Sequence, residues 1–270
     1  MTPRIGRRIL HTTLIVIALY AITAYVILPA AWTHHEHQPG LAEKPMITHT
    51  GQGIPGDPLN VGLVGHRADI VRAMHAAGWY PADPVTMKSS LRIIGSVLLD
   101  RPYREAPVSP LYYDGRKEDL AFEKPSGRSA DRRHHVRFWQ VLDRGEEGRP
   151  VWLGSVTYDR SVGLSRYTGQ VTHHIGPDID EERDRLINGL KAAHVVEAIY
   201  QVTGIGPTFL GHNGGGDPYW TDGELWIARL TPGAEKTDVA PKILDTPQAV
   251  QWKDAVMDQI GNAVGNVFGN

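Results

Sequence analysis

An uncharged apolar segment near the N-terminus, residues 10–28, constrains the fold of this chain more than any other feature. A helix over this segment is roughly 28 Å long at about 1.5 Å of rise per residue, which matches the hydrocarbon core of a bilayer. Arg4, Arg7 and Arg8 precede the segment, whereas Lys44 is the first Lys or Arg after it. Because positive residues stay on the cytoplasmic side, the sequence predicts one transmembrane helix with a cytoplasmic N-terminus.

A cleaved secretory signal is the alternative interpretation of this segment. The apolar stretch of such a signal usually has about 7–15 residues and ends at small residues. Residues 28–31 loosely fit that end, but the apolar segment is longer than a typical signal. We therefore expect a cytoplasmic N-terminus over residues 1–9 and a retained anchor over residues 10–31. The expected location is the inner (plasma) membrane, with the main domain periplasmic or extracellular and the lipid bilayer as a partner.

Beyond the anchor, composition divides the chain into one domain between two linkers. Residues 32–58 and 231–247 are rich in Pro, Gly and polar residues without periodicity, which is typical of linkers. The main domain is predicted over residues 59–230. Residues 248–270 have apolar side chains at helical spacing but also several glycines, so they predict a marginal amphipathic helix. We expect that helix to pack on the domain; the alternatives are contact with the membrane surface, binding in the groove of a partner, and disorder.

The predicted domain contains strand-like runs separated by turn signals. They cover residues 59–64, 111–113, 120–123, 134–142, 151–158, 171–175, 202–205 and 225–230. Helical periodicity predicts helices over residues 66–77, 91–98 and 178–199, and Gly78 is expected to end the first. Because these helices do not alternate regularly with the strands, the predicted fold class is α+β. We expect a mostly antiparallel sheet with two to three packing helices, preceded by one N-terminal transmembrane helix.

Composition excludes several classes of site. The chain has no cysteine, so disulfides, thiolate zinc sites and cysteine nucleophiles are excluded. With 28 Lys and Arg against 30 Asp and Glu, the chain has no basic excess to neutralise nucleic acid, which is therefore not an expected partner. Neither the P-loop motif nor the dinucleotide-binding motif is present, and we expect no cofactor.

Two pairs of adjacent histidines lie in predicted strands: His134 with His135, and His173 with His174. Because side chains alternate along a strand, His134 and His173 are expected to face the core and His135 and His174 to face outward. A metal site would then need His134 beside His173, or His135 beside His174, with an acid such as Asp159. We favour hydrogen-bonded structural histidines and predict no metal.

The strand predicted over residues 134–142 offers a candidate ligand-binding face. His135, Arg137 and Trp139 are expected on its outward side, where they combine a titratable ring, a cation and an aromatic surface. Arginine can bind a phosphate or carboxylate with two hydrogen bonds, and tryptophan can pack on an apolar or sugar ring. Asp159 and the glycine-rich loop, residues 211–223 with Asn213 and Asp217, complete the candidate ligand-binding residues.

The alternative is that a covering helix buries this face. Arg137 would then pair internally with Asp159 or Glu123, and the face would have only a structural role.

Eight segments between residues 59 and 230 carry a family resemblance. They read NVGLVG from Asn60, AAGWYPADPVT from Ala76, SSLRIIGSVLLDRPY from Ser89, PVSPLYYDGRKEDLAFEKP from Pro107, RRHHVRFW from Arg132, VWLGSVTYDRSVG from Val151, TGQVTHHIGPDIDEERD from Thr168 and NGGGD from Asn213. Together these segments resemble the LssY-like C-terminal domain family. The resemblance implies a bacterial envelope protein, because similar proteins carry this domain behind a membrane segment or after multi-span membrane domains. It implies no catalytic residues.

These observations predict a single-pass bacterial membrane protein whose external LssY-like domain binds an anionic envelope ligand or a membrane-protein partner. Binding is favoured over catalysis, and no catalytic residue is assigned. The alternative is an envelope hydrolase of lipid or phosphate esters that uses His134, His135, His173, His174 and Asp159. Clustering of these side chains in one cleft would favour the hydrolase, whereas scattered, hydrogen-bonded histidines would favour binding.

Overall fold

The computed structural model describes residues 3–30, 37–82, 111–126, 132–206 and 210–244, together with residues 248, 251, 252, 255 and 256. The helix predicted over residues 91–98 and most of the helix predicted over residues 248–270 lie outside these residues. The chain divides into two units. One unit is Glu43–Leu244, and the other comprises Met1–Ala42 and Asp245–Asn270.

The N-terminal segment forms the predicted helix. Helix α1, Pro3–Ile22, continues through a π-helical turn, Thr23–Ile27. The helical stretch Gly6–Ala30 has 25 residues and is long and apolar enough to cross a membrane. Its side chains, such as Ile15 and Val16, are exposed, as expected for residues that face lipid. Length and composition therefore agree with the predicted anchor, although a signal sequence shares both properties.

Within Glu43–Leu244, the described residues form one large and mostly antiparallel sheet. Its strands, in the order in which they lie side by side, are β15 (Lys242–Ile243), β11 (Val196–Thr203), β14 (Glu224–Leu230), β3 (Val61–Val64), β9 (Val151–Leu164), β8 (Arg133–Leu142), β7 (Leu120–Pro125) and β4 (Tyr80–Pro81). Strand β10 (Val171–Ile175) pairs with β9 beyond this row. Among these strands, β3 with β14 and β11 with β15 pair in parallel.

A second, smaller sheet contains four short strands of the described chain. They lie in the order β2 (Pro55–Pro58), β1 (Ile47–His49), β5 (Tyr112–Tyr113) and β6 (Arg116–Lys117). A separate hairpin is formed by β12 (Gly211–His212) and β13 (Pro218–Tyr219). Strands β1 and β2 lie within residues 32–58, which composition predicted as a linker. The structure differs here because β1 pairs with β5, a partner far along the chain that local composition does not indicate.

Two helices, α2 (Arg67–Ala76) and α3 (Ile179–Ala192), cover one face of the large sheet. Ile70 of α2 and Leu186 of α3 pack with the sheet residue Phe138 in one hydrophobic core. The fold is therefore α+β with a mostly antiparallel sheet, as the sequence predicted.

Residues in the left-handed backbone region follow the ends of both helices. Gly78, with a φ of +80°, follows α2 as the sequence predicted. The helix predicted over residues 178–199 ends earlier, at Ala192, because His194 has a φ of +62°. Ile199 therefore lies in β11 rather than in the helix, where it pairs with Ala228 of β14. The helical spacing of apolar residues did not distinguish a longer helix from a following strand, although β-branched residues such as Ile199 favour strands.

The second face of the large sheet is covered by the four-stranded sheet. The ring of Trp139 lies 5.9 Å from that of Tyr113, and its Nε1 donates a hydrogen bond to the backbone oxygen of Arg116 at 3.1 Å. His135, Arg137 and Trp139 are consequently only 3%, 4% and 0% exposed. The prediction that these side chains face outward to solvent is wrong, because a sheet, rather than the helix considered above, covers them.

Candidate functional site

A cavity of about 290 Å³ lies between the two sheets. Arg133, His135, Arg137 and Asp159 line its buried end, and each of these residues is at most 4% exposed. Two turns also line the cavity, and Gly51, Gln52, Thr168 and Gln170 of these turns are exposed. The cavity therefore leads from solvent to a group of buried charges.

Arg133 is held by two buried carboxylates. Its Nε donates a hydrogen bond to Asp159 Oδ2 at 3.0 Å, and its Nη1 donates to Glu123 Oε2 at 2.8 Å. Burial by itself would raise the pKa of the Asp159 carboxyl, but His135, His173 and Arg133 together hold it well below its usual range. Asp159 is therefore an anion at any ordinary pH.

His135 lies between two side chains of β9. Its Nδ1 is 3.1 Å from Asp159 Oδ1, and its Nε2 is 2.8 Å from the hydroxyl oxygen of Thr157. Thr157, His135 and Asp159 thus follow one another in the order of the nucleophile, the base and the orienting acid of a catalytic triad. Thr157 does not line the cavity and is 1% exposed, so its hydroxyl is not presented to a substrate. The contact orients the His135 ring, whose edge faces Asp159.

Arg137 forms a longer ion pair at the same end of the cavity. Its Nη1 lies 3.7 Å from Asp57 Oδ2, which is beyond hydrogen-bond distance. Burial raises the pKa of Asp57, although the charge on Arg137 opposes this shift. Burial also lowers the pKa of the Arg137 guanidinium, which Asp57 opposes in turn. Both shifts have one cause, the loss of water around a charge.

His173 also lines the cavity, contrary to its predicted place beside His134 in the core. The register of β10 and β9 shifts between His174 and Ile175, where β9 contains one additional residue. Because the additional residue is in β9, side chains still alternate along β10, and His173 shares the face of Ile175, which pairs with Asp159 and also lines the cavity. Local sequence does not reveal which face of β10 this pairing turns toward the cavity. Burial lowers the pKa of His173 to about 4, and Arg133 adds to this shift while Asp159 opposes it. The ring is therefore neutral at neutral pH.

His134 and His174 lie away from the cavity. His134 Nδ1 is 2.6 Å from Glu182 Oε2 on the helix-covered face of the sheet. His174 Nδ1 is 2.7 Å from Asp217 Oδ1. The pairings considered from the sequence, His134 with His173 and His135 with His174, are therefore not formed. Among the described residues, no group of three or more His, Asp or Glu side chains has the geometry of a metal site.

The glycine-rich loop forms part of the cavity wall through Asn213, Gly214 and Gly215. The side-chain oxygen of Asn213 accepts hydrogen bonds from the backbone N–H groups of Gly215, at 3.0 Å, and Asp217, at 2.9 Å. A Cβ atom on Gly214 would collide with the Thr50 side chain, so glycine allows the loop to approach the β1–β2 turn. The glycine-rich loop is thus closely packed against the β1–β2 turn at Thr50.

Four of the six predicted ligand-binding residues line this one cavity: His135, Arg137, Asp159 and Asn213. Trp139 does not line it, and neither does Asp217, which is 0% exposed and accepts a hydrogen bond from Ile175 N at 3.2 Å. The sequence reasoning missed Arg133, although strand alternation places it on the face of His135. It also missed Asp57, because residues 32–58 were interpreted as a linker.

Comparison with known proteins identifies the family of the domain that contains this cavity. No curated protein and no solved structure matches the chain. A family model described as LssY C-terminus matches residues 39–225. That range includes every residue named above at the buried end of the cavity as well as the glycine-rich loop. The chain therefore belongs to the LssY C-terminus family.

Proposed function

We propose that this protein is a single-pass bacterial membrane protein whose domain lies outside the cytoplasm and binds a small anionic ligand of the cell envelope. The observation that carries the proposal is the cavity, which extends from exposed turns to Arg137 and other buried charges. Its volume of about 290 Å³ is just below the roughly 300–1,000 Å³ typical of sites for drug-sized ligands. A phosphorylated headgroup or a small carboxylate is therefore a suitable size.

The two arginines of the cavity differ in how their charge is balanced. Arg133 makes hydrogen bonds to Asp159 and Glu123, so its guanidinium is strongly engaged. Arg137 Nη1 lies 3.7 Å from the Asp57 carboxylate, a longer contact than those of Arg133, and burial makes the Asp57 charge costly. A phosphate or carboxylate placed beside Arg137 would compensate its charge with shorter hydrogen bonds. Asp57 would then take up a proton, so that only one anion faces the guanidinium.

Calorimetric titration of the full-length protein in neutral detergent tests this proposal. The probes are inorganic phosphate, glycerol 3-phosphate and succinate. We expect wild type to bind at least one probe and Arg137→Gln to bind it at least about tenfold more weakly. Arg137→Lys keeps the charge but loses the paired hydrogen bonds, and it should bind with intermediate affinity.

The matched control is Arg149→Gln. Like Arg137, Arg149 has a carboxylate partner, Glu197, but Arg149 is only partly buried and does not line the cavity. This variant should bind as wild type does. No binding of any probe by wild type, or equal binding by wild type and both Arg137 variants, would overturn the proposal.

Hydrolysis of a lipid or phosphate ester is the second candidate function. The favouring observation is that His135, Asp159 and His173 line one cavity. A neutral His173 can accept a proton from an attacking water, which is the role of a general base. The test is release of phosphate from phosphatidic acid and of fatty acid from phosphatidylglycerol in mixed micelles. Activity that His173→Gln abolishes would support hydrolysis, and no release by wild type would exclude it for these two lipids.

A further inference from the structure

Three large apolar side chains are exposed together at one end of β9. Leu164 is the last residue of β9 and Val171 the first of β10, and the two are cross-strand partners. Tyr167 lies in the turn that joins them. The exposures of Leu164, Tyr167 and Val171 are 62%, 55% and 74%. These residues form an apolar tip, named here the 164–171 tip. Other exposed apolar side chains of the described domain are Val71, Leu210, Trp220, Val239 and Ile243, but the tip groups three of them on one hairpin.

The turn that presents the 164–171 tip is closed by several hydrogen bonds. The Ser165 hydroxyl oxygen accepts hydrogen bonds from the backbone N–H groups of Tyr167, at 3.3 Å, and Thr168, at 3.2 Å. Backbone bonds also join Ser165 N to Gln170 O at 2.8 Å, and Arg166 N to Gly215 O at 2.9 Å. The second bond connects the turn to the glycine-rich loop. The backbone that carries the exposed side chains is therefore held by hydrogen bonds.

We propose that the 164–171 tip docks on the lipid bilayer. Aliphatic side chains with a tyrosine are the residues that insert at a membrane interface, and basic residues beside them bind anionic headgroups. Arg160 and Arg166 are exposed on the same hairpin and supply that positive charge. No Asp or Glu occurs between Arg160 and Val171.

The apolar N-terminal helix of the same chain is the reason to propose a bilayer, rather than another partner, as the surface on which the tip docks. The helical stretch that can cross a membrane ends at Ala30, and the domain begins at Glu43. Even fully extended, this connection spans at most roughly 45 Å, so the retained anchor of the proposed function would tether the domain within that distance of a bilayer. Tethering at that distance raises the effective concentration of the membrane and lets a small apolar tip dock.

Docking of the tip has a consequence for the cavity. Ser165, Thr168, Gln170 and Val171 belong to the hairpin and also line the exposed end of the cavity. That end would then face the headgroup region, and a ligand anion could enter from the membrane surface. The docking itself goes beyond ligand binding, because the tip can lie in the bilayer whether or not the cavity binds any anion.

Spin labelling of the full chain in vesicles of phosphatidylethanolamine and phosphatidylglycerol tests the docking. The chain has no cysteine, so Tyr167→Cys introduces a single labelling position. The control is Arg144→Cys, an exposed position in the turn that precedes β9. Because β9 has 14 residues at about 3.3 Å each, the two turns lie roughly 40 Å apart along the strand.

We expect the label at position 167 to be accessible to oxygen and shielded from a water-soluble nickel reagent, as in lipid, and the label at position 144 to be accessible to the nickel reagent. Equal aqueous accessibility at both positions would overturn the proposal. Spin–spin broadening at position 167 would indicate that a second copy covers the tip, and it would overturn the proposal as well. Neither result depends on anion binding by the cavity, so this test and the calorimetric test fail separately.

Discussion

Arg133 and Asp159 form a hydrogen-bonded ion pair, 3.0 Å from Nε to Oδ2, although the two residues are only 2% and 1% exposed. Glu123, which is 0% exposed, completes a buried group of one cation and two anions. Desolvation of such charges is costly and is offset only by close mutual contacts. The pair also places the Asp159 carboxylate beside His135, which links the stability of the domain to the geometry of the cavity.

Removal of the central cation should therefore destabilise the domain strongly. Arg133→Met leaves Glu123 and Asp159 buried without their cation, which typically costs about 3–5 kcal/mol. Urea unfolding of the full-length protein in detergent, followed by tryptophan fluorescence, measures the change. Arg72→Met is the control, because the Arg72 side chain is 55% exposed in its ion pair with Asp69 and should contribute less than about 1 kcal/mol. Similar losses in the two variants would contradict the structural role of the buried group.

The lowered pKa of His173 predicts a dependence of stability on pH. Between the ordinary value of 6.5 and the folded value of about 4, the unfolded chain binds a proton at this position and the folded chain does not. Acidification through this range therefore favours unfolding, by up to about 3 kcal/mol for a shift of this size. Asp57 opposes the trend, because its raised pKa favours the folded state on acidification.

His173→Gln isolates the histidine contribution. The unfolding free energy of wild type minus that of this variant should decrease as the pH falls from 7 to about 4, because only wild type loses the histidine contribution. Urea unfolding at several pH values measures it. A difference that does not vary with pH would show that His173 titrates normally in the folded protein.

Two glycines of the domain should respond in opposite directions to the same substitution. A Cβ atom on Gly154 in β9 would lie 2.6 Å from the Phe138 ring and 2.9 Å from Arg137 O. Gly154→Ala should therefore destabilise the domain by about 1–3 kcal/mol. Gly189 in α3 has no neighbouring atom within 4 Å of an added Cβ, and Gly189→Ala should stabilise the helix by about 0.5–1 kcal/mol. Melting temperatures of the two variants that shift in the same direction would contradict this account.

The membrane topology can be tested with reporter fusions. Alkaline phosphatase fused after Gly51 should be active, because Arg4, Arg7 and Arg8 are expected to keep the N-terminus in the cytoplasm. The fusion should also remain in the membrane fraction, whereas cleavage of a signal would release it. A cytoplasmic fluorescent reporter at the same position is the control and should be dark. The reverse pattern of activity would refute the orientation.

Strand alternation carried the sequence-based prediction furthest. It placed His135, Arg137 and Trp139 on one face of β8 and Phe138 on the other, and the structure has this arrangement. The bounds of β10, Val171–Ile175, also agree with the prediction. Both results follow from local properties, the spacing of apolar residues and the flanking turn signals, which a single sequence contains.

The features that were not predicted depend on contacts between distant segments. The cover over Trp139 comes from β5 and β6, whose pairing and position no local pattern specifies. The place of His173 depends on the pairing of β10 with β9, which sets Ile175 opposite Asp159 and thereby turns the face that His173 shares with Ile175 toward the cavity. For the same reason Asp57, in a proline- and glycine-rich segment, could not be assigned to the cavity in advance.

Asp57 should control the pH dependence of anion binding. Besides Arg137, the charged and titratable groups that act on it are His135 and Asp159. Above its raised pKa, the Asp57 carboxylate competes with a ligand anion for Arg137, and protonation removes that competition. Affinity for glycerol 3-phosphate should therefore rise as the pH falls. Asp57→Asn mimics the protonated form and should bind about tenfold more tightly than wild type wherever the wild-type carboxylate is charged, with a weaker dependence on pH. Calorimetric titration of both proteins at a series of pH values measures the effect, and equal or weaker binding by Asp57→Asn at every pH would exclude competition between Asp57 and the ligand.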